Sequence, residues 1–122
     1  MQISEAESRV MEALWRDSPR SAEDVVAELA EPNGWAEATV KTLLNRLLNK
    51  GAISAERDGR RYLYAPVLRR EDWLRGESES LLDRLFGGQV APLVAHFSQR
   101  RKLSPDDIAE LRKLIEELDD EQ

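Results

Sequence analysis

The feature that most constrains the fold is an amphipathic helix followed directly by a β-hairpin signal. Residues 38–51 read ATVKTLLNRLLNKG, and their apolar positions recur at the spacing of one helix face: Val40, Leu43, Leu44, Leu47 and Leu48. Gly51 is typical of the left-handed residue that ends a helix. Residues 52–66 then surround Asp58-Gly59, the strongest short signal for a two-residue hairpin turn. The pattern predicts a helix that packs by its leucine face, with a hairpin behind it.

A turn at Asp58-Gly59 also predicts how the two strands pair. Counting outward from the turn gives the cross-strand pairs Ala55–Tyr62, Ile53–Tyr64 and Glu56–Arg61. The first two pairs share a side that can pack on the helices, so Tyr62 and Tyr64 are predicted to pack. Arg57 and Arg60 would flank the tip opposite each other. Since like charges in that position destabilise a hairpin, the tip indicates an anionic partner.

Two further helices precede this segment. Ser4 and Glu7 have the spacing of a capping box, and Pro19 predicts the end of the first helix. Ser21 is a favourable N-cap for the second helix. Glu31-Pro32-Asn33-Gly34 predicts a turn, because Pro, Asn and Gly each resist helix continuation.

Three helices followed by a hairpin is the order of a winged helix-turn-helix domain. We therefore predict a fold that is mainly α with a small β-hairpin wing, and a DNA-binding domain that spans residues 1–68. The charges agree with this prediction. Residues 39–61 carry six basic residues against two acidic ones, whereas residues 1–36 carry three against eight and residues 103–122 carry two against eight. A polyanion would be attracted to the central segment of this acidic chain.

The third helix, predicted over 37–50, would enter the major groove, and the wing, 52–65, would touch the DNA backbone. Thr and Asn can bond phosphates or base edges, and Arg46 can bind a guanine edge or a phosphate. The candidate DNA-binding residues are Thr39, Lys41, Thr42, Asn45, Arg46, Asn49, Lys50, Arg57, Arg60 and Arg61. Two alternatives stay open: a winged-helix protein-interaction module without DNA binding, and an accessory domain of an enzyme.

Residues 69–122 predict three short helices that cannot form a core alone. Gly87-Gly88 ends the first of them, and Ser104-Pro105 is a favourable start for the last. A second copy of the region would supply the missing packing partner, so we predict a helical dimerisation region and a homodimer on a pseudo-palindromic site. The predicted dimerisation residues are Leu81, Leu82, Leu85, Phe86, Val90, Leu93, Val94, Phe97, Ile108, Leu111, Ile115 and Leu118.

Composition argues against an enzyme. Cysteine is absent and His96 is the only histidine, so neither a thiolate metal site nor a multi-histidine site can form. A Gly-rich phosphate loop is also absent from the sequence. We therefore predict no catalysis, no metal and no cofactor. The N-terminus has glutamates where a signal peptide needs an apolar core, which predicts a cytoplasmic protein.

Four segments resemble the penicillinase repressors, the BlaI/MecI/CopY group of bacterial transcriptional regulators: ISEAESRVMEALW, WAEATVKTLLNRLLNKGAI, DGRRYLYAP and LVAHFSQRRKLSPDDIAELRKLIEEL. The resemblance implies a dimeric repressor that occupies a double-stranded DNA operator and blocks transcription of β-lactamase-type or other antibiotic resistance genes. The copper-responsive branch of the family uses a C-terminal cysteine cluster, which this chain lacks. Ala36 stands where the family often has Ser before the third helix.

The resemblance also implies a regulatory partner. Family members paired with a membrane-bound sensor metalloprotease are inactivated by cleavage in the dimerisation region. The family's Asn-Phe cleavage pair matches His96-Phe97 in this chain, where the Phe agrees and the Asn does not. The alternative reading of His96 is a structural or surface residue.

Overall fold

The computed structural model describes residues 1–100 and 102–120. Its elements in chain order are α1 (Glu5–Arg16), β1 (Arg20–Ser21), α2 (Ala22–Asn33), α3 (Glu37–Lys50), β2 (Ile53–Asp58), β3 (Arg61–Pro66), α4 (Arg70–Phe86), α5 (Val90–Gln99) and α6 (Pro105–Asp120). Three helices are followed by a hairpin and then by three more helices. The predicted class, mainly α with a small β wing, is confirmed.

The chain forms two compact units, one up to Leu74 and one from Arg75 onward. The division falls inside α4, after the predicted boundary at residue 68. The first turn of α4 belongs to the first unit because Trp73 contacts Trp15 of α1, with ring centroids 5.5 Å apart. The indole N–H of Trp15 also donates to the carbonyl oxygen of Leu68 at 2.9 Å.

The core of the first unit lies where the apolar faces of α1, α2 and α3 meet the base of the hairpin. Each helix contributes buried residues at three- or four-residue spacing, as expected for an amphipathic helix. The buried apolar side chains are Val10, Met11, Ala13, Leu14, Val25, Leu29, Val40, Leu43, Leu44, Leu47, Ala52 and Ile53. Burial of the leucine face of α3 therefore fixes which side of that helix faces solvent.

The helix starts agree with the sequence analysis. Ser4 and Glu7 form the predicted capping box at the start of α1. Ser21 caps α2, where Asp24 completes a second capping box. Ala36 is the N-cap of α3 and makes no side-chain hydrogen bond there. Because the methyl side chain of Ala cannot accept a hydrogen bond, α3 begins without the side-chain cap that stabilises the two helices before it.

The predicted turn at 31–34 is wrong in its first part, because α2 continues through Pro32 to Asn33. A proline so close to the helix end removes one backbone hydrogen bond, and the bonds of the preceding turns remain. The side-chain amide of Asn33 donates to the carbonyl oxygen of Leu29 at 2.8 Å, which satisfies one of the last carbonyls. The helix ends only at Gly34, whose φ of 65° is left-handed.

The predicted register of the hairpin is also wrong. Asp58 pairs with Arg61, so the two loop residues are Gly59 and Arg60. Gly59 has a φ of 64°, the sign required at the first position of this turn class, and glycine adopts it without strain. The observed partners are Ile53↔Pro66, Ala55↔Tyr64, Glu56↔Leu63 and Arg57↔Tyr62. Because each partner moves by two positions, every side chain keeps its predicted side of the sheet.

Strand β1 is an element that the sequence analysis missed. Arg20 pairs with Tyr64 and Ser21 with Leu63, which places β1 beside β3 in a three-stranded antiparallel sheet of order β1-β3-β2. Two residues are too few to carry an alternating pattern, and pairing with a distant strand defines them. The strand joins the hairpin to the start of α2.

The second unit has a different distribution of apolar residues. Among the described residues of α4, α5 and α6, none is buried. Gly87 and Gly88 have φ values of 58° and 77° and follow the end of α4, as predicted. Ser104 and Asp107 exchange capping hydrogen bonds of 3.0 and 3.1 Å at the start of α6. In the described parts of the chain, every helix is too short or too polar to cross a membrane.

Candidate nucleic-acid interface

The polar face of α3 is exposed along its whole length. The buried residues of the helix are Val40, Leu43, Leu44 and Leu47, which hold one side against the core. The opposite side presents the exposed side chains of Thr39, Thr42, Asn45, Arg46 and Asn49. These groups offer hydroxyl, amide and guanidinium hydrogen-bonding atoms on one rigid surface, which is the chemistry that reads base edges and phosphates.

One carboxylate lies on α3, that of Glu37, the first residue of the helix. Oε1 of Glu37 accepts an ion-pair contact from Nζ of Lys41 at 3.0 Å, and both side chains are more than half exposed. The hydrogen bond and charge of Glu37 raise the pKa of Lys41, and the charge of Glu23 adds to this effect. Lys41 is therefore exposed, and the nearby carboxylates partly compensate its positive charge.

Lys50, the last residue of α3, is held by groups near the N-terminus of the chain. Its Nζ donates to Oε1 of Glu7 at 2.6 Å and to the carbonyl oxygen of Gln2 at 2.9 Å. Burial raises the pKa of Glu7, but the hydrogen bonds from Lys50 and Ser4 outweigh it and hold that pKa below its ordinary value. The structure thus places Lys50 in an ion pair with a buried carboxylate of α1.

The three arginines of the wing differ in their partners. Arg61 contacts Oδ2 of Asp58 at 3.3 Å, and not Glu56 as predicted. Nε of Arg57 donates to the carbonyl oxygen of Gly59 at 3.1 Å. Arg57 lies opposite Tyr62 and not opposite Arg60, so the predicted repulsion between the two arginines is wrong.

Within residues 1–100 and 102–120, the side chains of Arg46 and Arg60 have no ion-pair or hydrogen-bond partner. Both are exposed. The charge of an exposed guanidinium without a carboxylate partner is not compensated by the protein, and all five of its N–H donors are available to a ligand. The guanidinium groups of Arg46 on α3 and Arg60 in the wing turn are therefore available to bind an anion.

A cleft of about 330 Å³ brings the start of α2, the polar face of α3 and the wing together. Its lining residues are Ala22, Glu23, Lys41, Asn45, Arg60, Arg61, Tyr62 and Tyr64. Four of these residues, Lys41, Asn45, Arg60 and Arg61, were predicted as DNA-binding. Thr39, Thr42, Arg46, Asn49 and Arg57 lie outside the cleft.

Glu23 is absent from the predicted site residues, and Tyr62 is more exposed than predicted. Tyr64 packs against the core as predicted, but Tyr62 is half-exposed. A usable signal for Glu23 existed, because Ser21 as an N-cap places Glu23 in the exposed first turn of α2. Strand β1 places that turn beside the wing. Because β1 has no recognisable sequence pattern, the closeness of Glu23 to the wing could not be predicted.

The apolar surface of the second unit contains the predicted dimerisation residues. Leu85, Val90, Ile115 and Leu118 are each more than half exposed, as is Leu114, which the sequence analysis missed. Leu93, Val94, Phe97, Leu111 and Leu114 line an apolar groove between α5 and α6. Large exposed apolar surfaces are typical of interaction sites.

His96 and Phe97, the pair that matches the family's cleavage position, lie within α5. Both are exposed, and the ring of His96 contacts those of Phe86 and Phe97 at centroid distances of 6.4 and 5.6 Å. In the part of the chain that the structure describes, no group of three or more acidic or histidine side chains could hold a metal ion.

Comparison with known proteins identifies relatives that are similar over almost the whole chain. The chain is 34% identical over 116 residues to the penicillinase repressor of Bacillus licheniformis, covering 95% of this chain and 91% of that protein. It is 30% identical over 114 residues to the methicillin resistance regulatory protein MecI of Staphylococcus aureus strain N315, covering 93% of each.

Two solved structures each match more than half of the chain. The solution structure of the DNA-binding domain of the repressor BlaI has a TM-score of 0.54 and 37% identity, and it covers 58% of this chain and 87% of that one. The monomeric form of Bacillus licheniformis BlaI in complex with the blaP half-operator has a TM-score of 0.53 and 36% identity, and it covers 59% and 88%.

The sequence profile of the penicillinase repressor family matches residues 3–117, almost the whole chain. The family consists of repressors and not of enzymes. This profile match and the 34% identity over 95% of the chain show that the protein belongs to the penicillinase repressor family.

Proposed function

We propose that this protein is a transcriptional repressor that binds an operator in double-stranded DNA through α3 and the wing. The observation that carries the proposal is the exposed polar face of α3. Packing of the opposite face against the core directs it to solvent, and its Arg46 has no partner among the described residues. The relative BlaI, 36% identical over the matched region, is solved in complex with a half-operator. A wing with an unpaired Arg60 beside this face adds a second contact for the phosphate backbone.

The exposed residues of α3 divide by chemistry. Asn45 and Arg46 have side chains that can make two parallel hydrogen bonds to the edges of adenine and guanine, so they are the proposed base-reading residues. Thr39, Thr42 and Asn49 are assigned to phosphates or base edges, and Lys41 to phosphates. Arg57, Arg60 and Arg61 of the wing are assigned to the backbone. Lys50 leaves the proposed set because its ammonium is held by Glu7 and Gln2.

The proposal includes a homodimer on a pseudo-palindromic operator. The support is the second unit, where no described residue of α4, α5 or α6 is buried and the apolar side chains stay in contact with water. In a homodimer, a two-fold axis places the same surface of a second copy against this one, so no other partner is needed to cover it. It would also pair two recognition helices, as a symmetric operator requires.

Relief of repression by a membrane sensor metalloprotease is a further part of the proposal, with His96-Phe97 as the bond to be cut. The bond lies in α5, so a protease that binds an extended segment needs that helix to open locally. Among its described residues, α5 has none that is buried, which favours such opening when the apolar surface is uncovered. The regulated genes are proposed to be resistance genes, as the names of the relatives indicate.

The test is selection of bound DNA from a random pool with the full-length protein. The proposal expects enrichment of a site with two related halves, bound with an affinity that falls steeply as salt rises. A pool without enrichment, together with salt-independent binding, would favour a winged helix used only for protein contacts.

A further inference from the structure

The cleft between α2, α3 and the wing contains a carboxylate at the position where the proposed function needs positive charge. Glu23 lines this cleft together with Lys41, Asn45 and Arg60. The side chain is exposed, and its charge is close enough to help stabilise the ammonium of Lys41. Lys41 already has an ion-pair partner in Glu37 at 3.0 Å, so a second carboxylate is not required to satisfy it.

We propose that Glu23 weakens the attraction of this cleft for DNA phosphates and so limits sequence-independent binding. The inference rests on the proposed function, in which α3 and the wing contact DNA. Contacts to phosphates supply nearly all of the binding to non-cognate DNA, whereas a cognate site also offers base edges to Asn45 and Arg46. A carboxylate among the phosphate-binding groups therefore lowers the part of the affinity that carries no sequence information.

The expected size follows from Coulomb's law. A unit charge about 6 Å from one phosphate in water changes the binding constant roughly threefold. A second phosphate within the screening length of about 8 Å at physiological salt would add to this effect, so removal of the charge should tighten binding by about three- to tenfold. The gain should shrink as salt rises, because added ions screen the repulsion.

Glu23 also has a structural role, because its charge stabilises the fold while it weakens DNA binding. It occupies the first turn of α2, where a negative side chain stabilises the positive end of the helix. Glutamine keeps the size of the side chain and removes the charge. If Glu23 served only the helix, Glu23→Gln would lower the melting temperature and leave DNA affinity unchanged or weaker. Under the proposal the melting temperature falls slightly while the affinity rises.

Glu31 provides a matched control in the same helix. It is exposed near the other end of α2, and among the described residues it has no side-chain partner. Glu31→Gln changes the net charge by the same amount as Glu23→Gln. The control therefore separates a charge inside the cleft from the charge of the whole protein.

The experiment measures binding of the full chain and both variants to a random-sequence duplex over a series of salt concentrations. We expect Glu23→Gln to bind about three- to tenfold tighter at low salt, and Glu31→Gln to stay within about twofold of the unchanged protein. Equal or weaker binding by Glu23→Gln, with measurable binding by the unchanged protein, overturns the inference and leaves the proposed function intact. An equal gain in both variants also overturns it, since net charge would then be the cause. If none of the three binds this duplex or any sequence from a selected pool, the proposed function fails as well.

Discussion

Nζ of Lys50, in the last residue of α3, lies 2.6 Å from Oε1 of Glu7, which is buried in α1. The same oxygen accepts the backbone N–H of Ser4 at 2.9 Å. One carboxylate thus closes the capping box of α1 and holds the end of α3. The position of α3 against the core depends on this pair as well as on its leucines.

The first prediction concerns this ion pair. Glu7→Gln should lower the free energy of unfolding by about 2 kcal/mol at neutral pH, because a charged hydrogen bond is lost and Lys50 keeps no acidic partner. The pKa of Glu7 is lowered in the folded protein, so its stabilisation is complete above the ordinary value of 4.5 and is lost as pH falls through the folded pKa. The difference between the two proteins should therefore shrink in acid. Urea unfolding at a series of pH values measures it.

Glu5 supplies the control for that experiment. It lies in the same helix turn, and its carboxylate is 85% exposed in an ion pair with Arg9. Glu5→Gln should change the unfolding free energy by less than about 1 kcal/mol, since exposed ion pairs contribute little. Equal effects of the two substitutions at neutral pH would contradict the role assigned to Glu7.

The second prediction concerns base recognition by α3. Arg46→Ala should weaken binding to a selected operator by roughly tenfold or more, because a guanidinium contact to a base or phosphate contributes about 1–3 kcal/mol. Its melting temperature should stay close to that of the unchanged protein, since the side chain is exposed and unpaired. A fluorescence anisotropy titration measures the affinity.

Arg69→Ala is the matched control, because it removes the same charge from an exposed pair with Glu71 at a position outside both α3 and the wing. It should reduce affinity much less than Arg46→Ala. Undiminished operator binding by Arg46→Ala would remove α3 as the reading helix.

The third prediction concerns self-association. Ile115 and Leu118 are each more than half exposed on α6, so Asp at both positions should leave the protomer folded and place two charges in the proposed interface. Sedimentation should then show a monomer where the unchanged chain is a dimer, and operator affinity should fall. Lys113→Asp, on the opposite face of the helix, should leave the dimer intact. A monomeric unchanged chain at micromolar concentration would refute the proposed dimer.

The fourth prediction compares two glycines. Gly59 has a φ of 64° in the wing turn, and a methyl group there would meet no atom within 4 Å. Gly59→Ala should therefore destabilise the protein by about 1 kcal/mol through backbone strain alone. Gly76 lies inside α4 with open space around it, so Gly76→Ala should stabilise that helix by about 0.5–1 kcal/mol. Thermal unfolding of the two variants should shift in opposite directions.

The parts of the fold that the sequence predicts are those with a local cause. The helix α3 follows from the spacing of its leucines and from Gly51, and both lie within a few turns of each other. The same holds for the capping boxes at Ser4 and Ser21, of which the first was predicted in full. The exposed face of α3 was predictable for the same reason, because burial of one side determines the other.

The features that were predicted wrongly or not at all are of two kinds. Some depend on which of two similar local conformations is adopted, and others depend on residues that are far apart in the sequence. A turn at Asp58-Gly59 and a turn at Gly59-Arg60 both use the same glycine, and the ion pair of Asp58 with Arg61 agrees with the second. Strand β1 exists only because β3 lies beside Arg20 and Ser21. The bond between Lys50 and Glu7 joins residues that are 43 positions apart, and neither has a periodic signal for it.

The second unit, without a buried residue among those described in its three helices, has a consequence for how the protein is regulated. If a second copy covers that surface, folding of the C-terminal third and pairing of the subunits draw on the same free energy, and both become functions of protein concentration. The cellular abundance of the chain would then act as an input signal, with gene silencing lost below a threshold copy number even when no inducer is present.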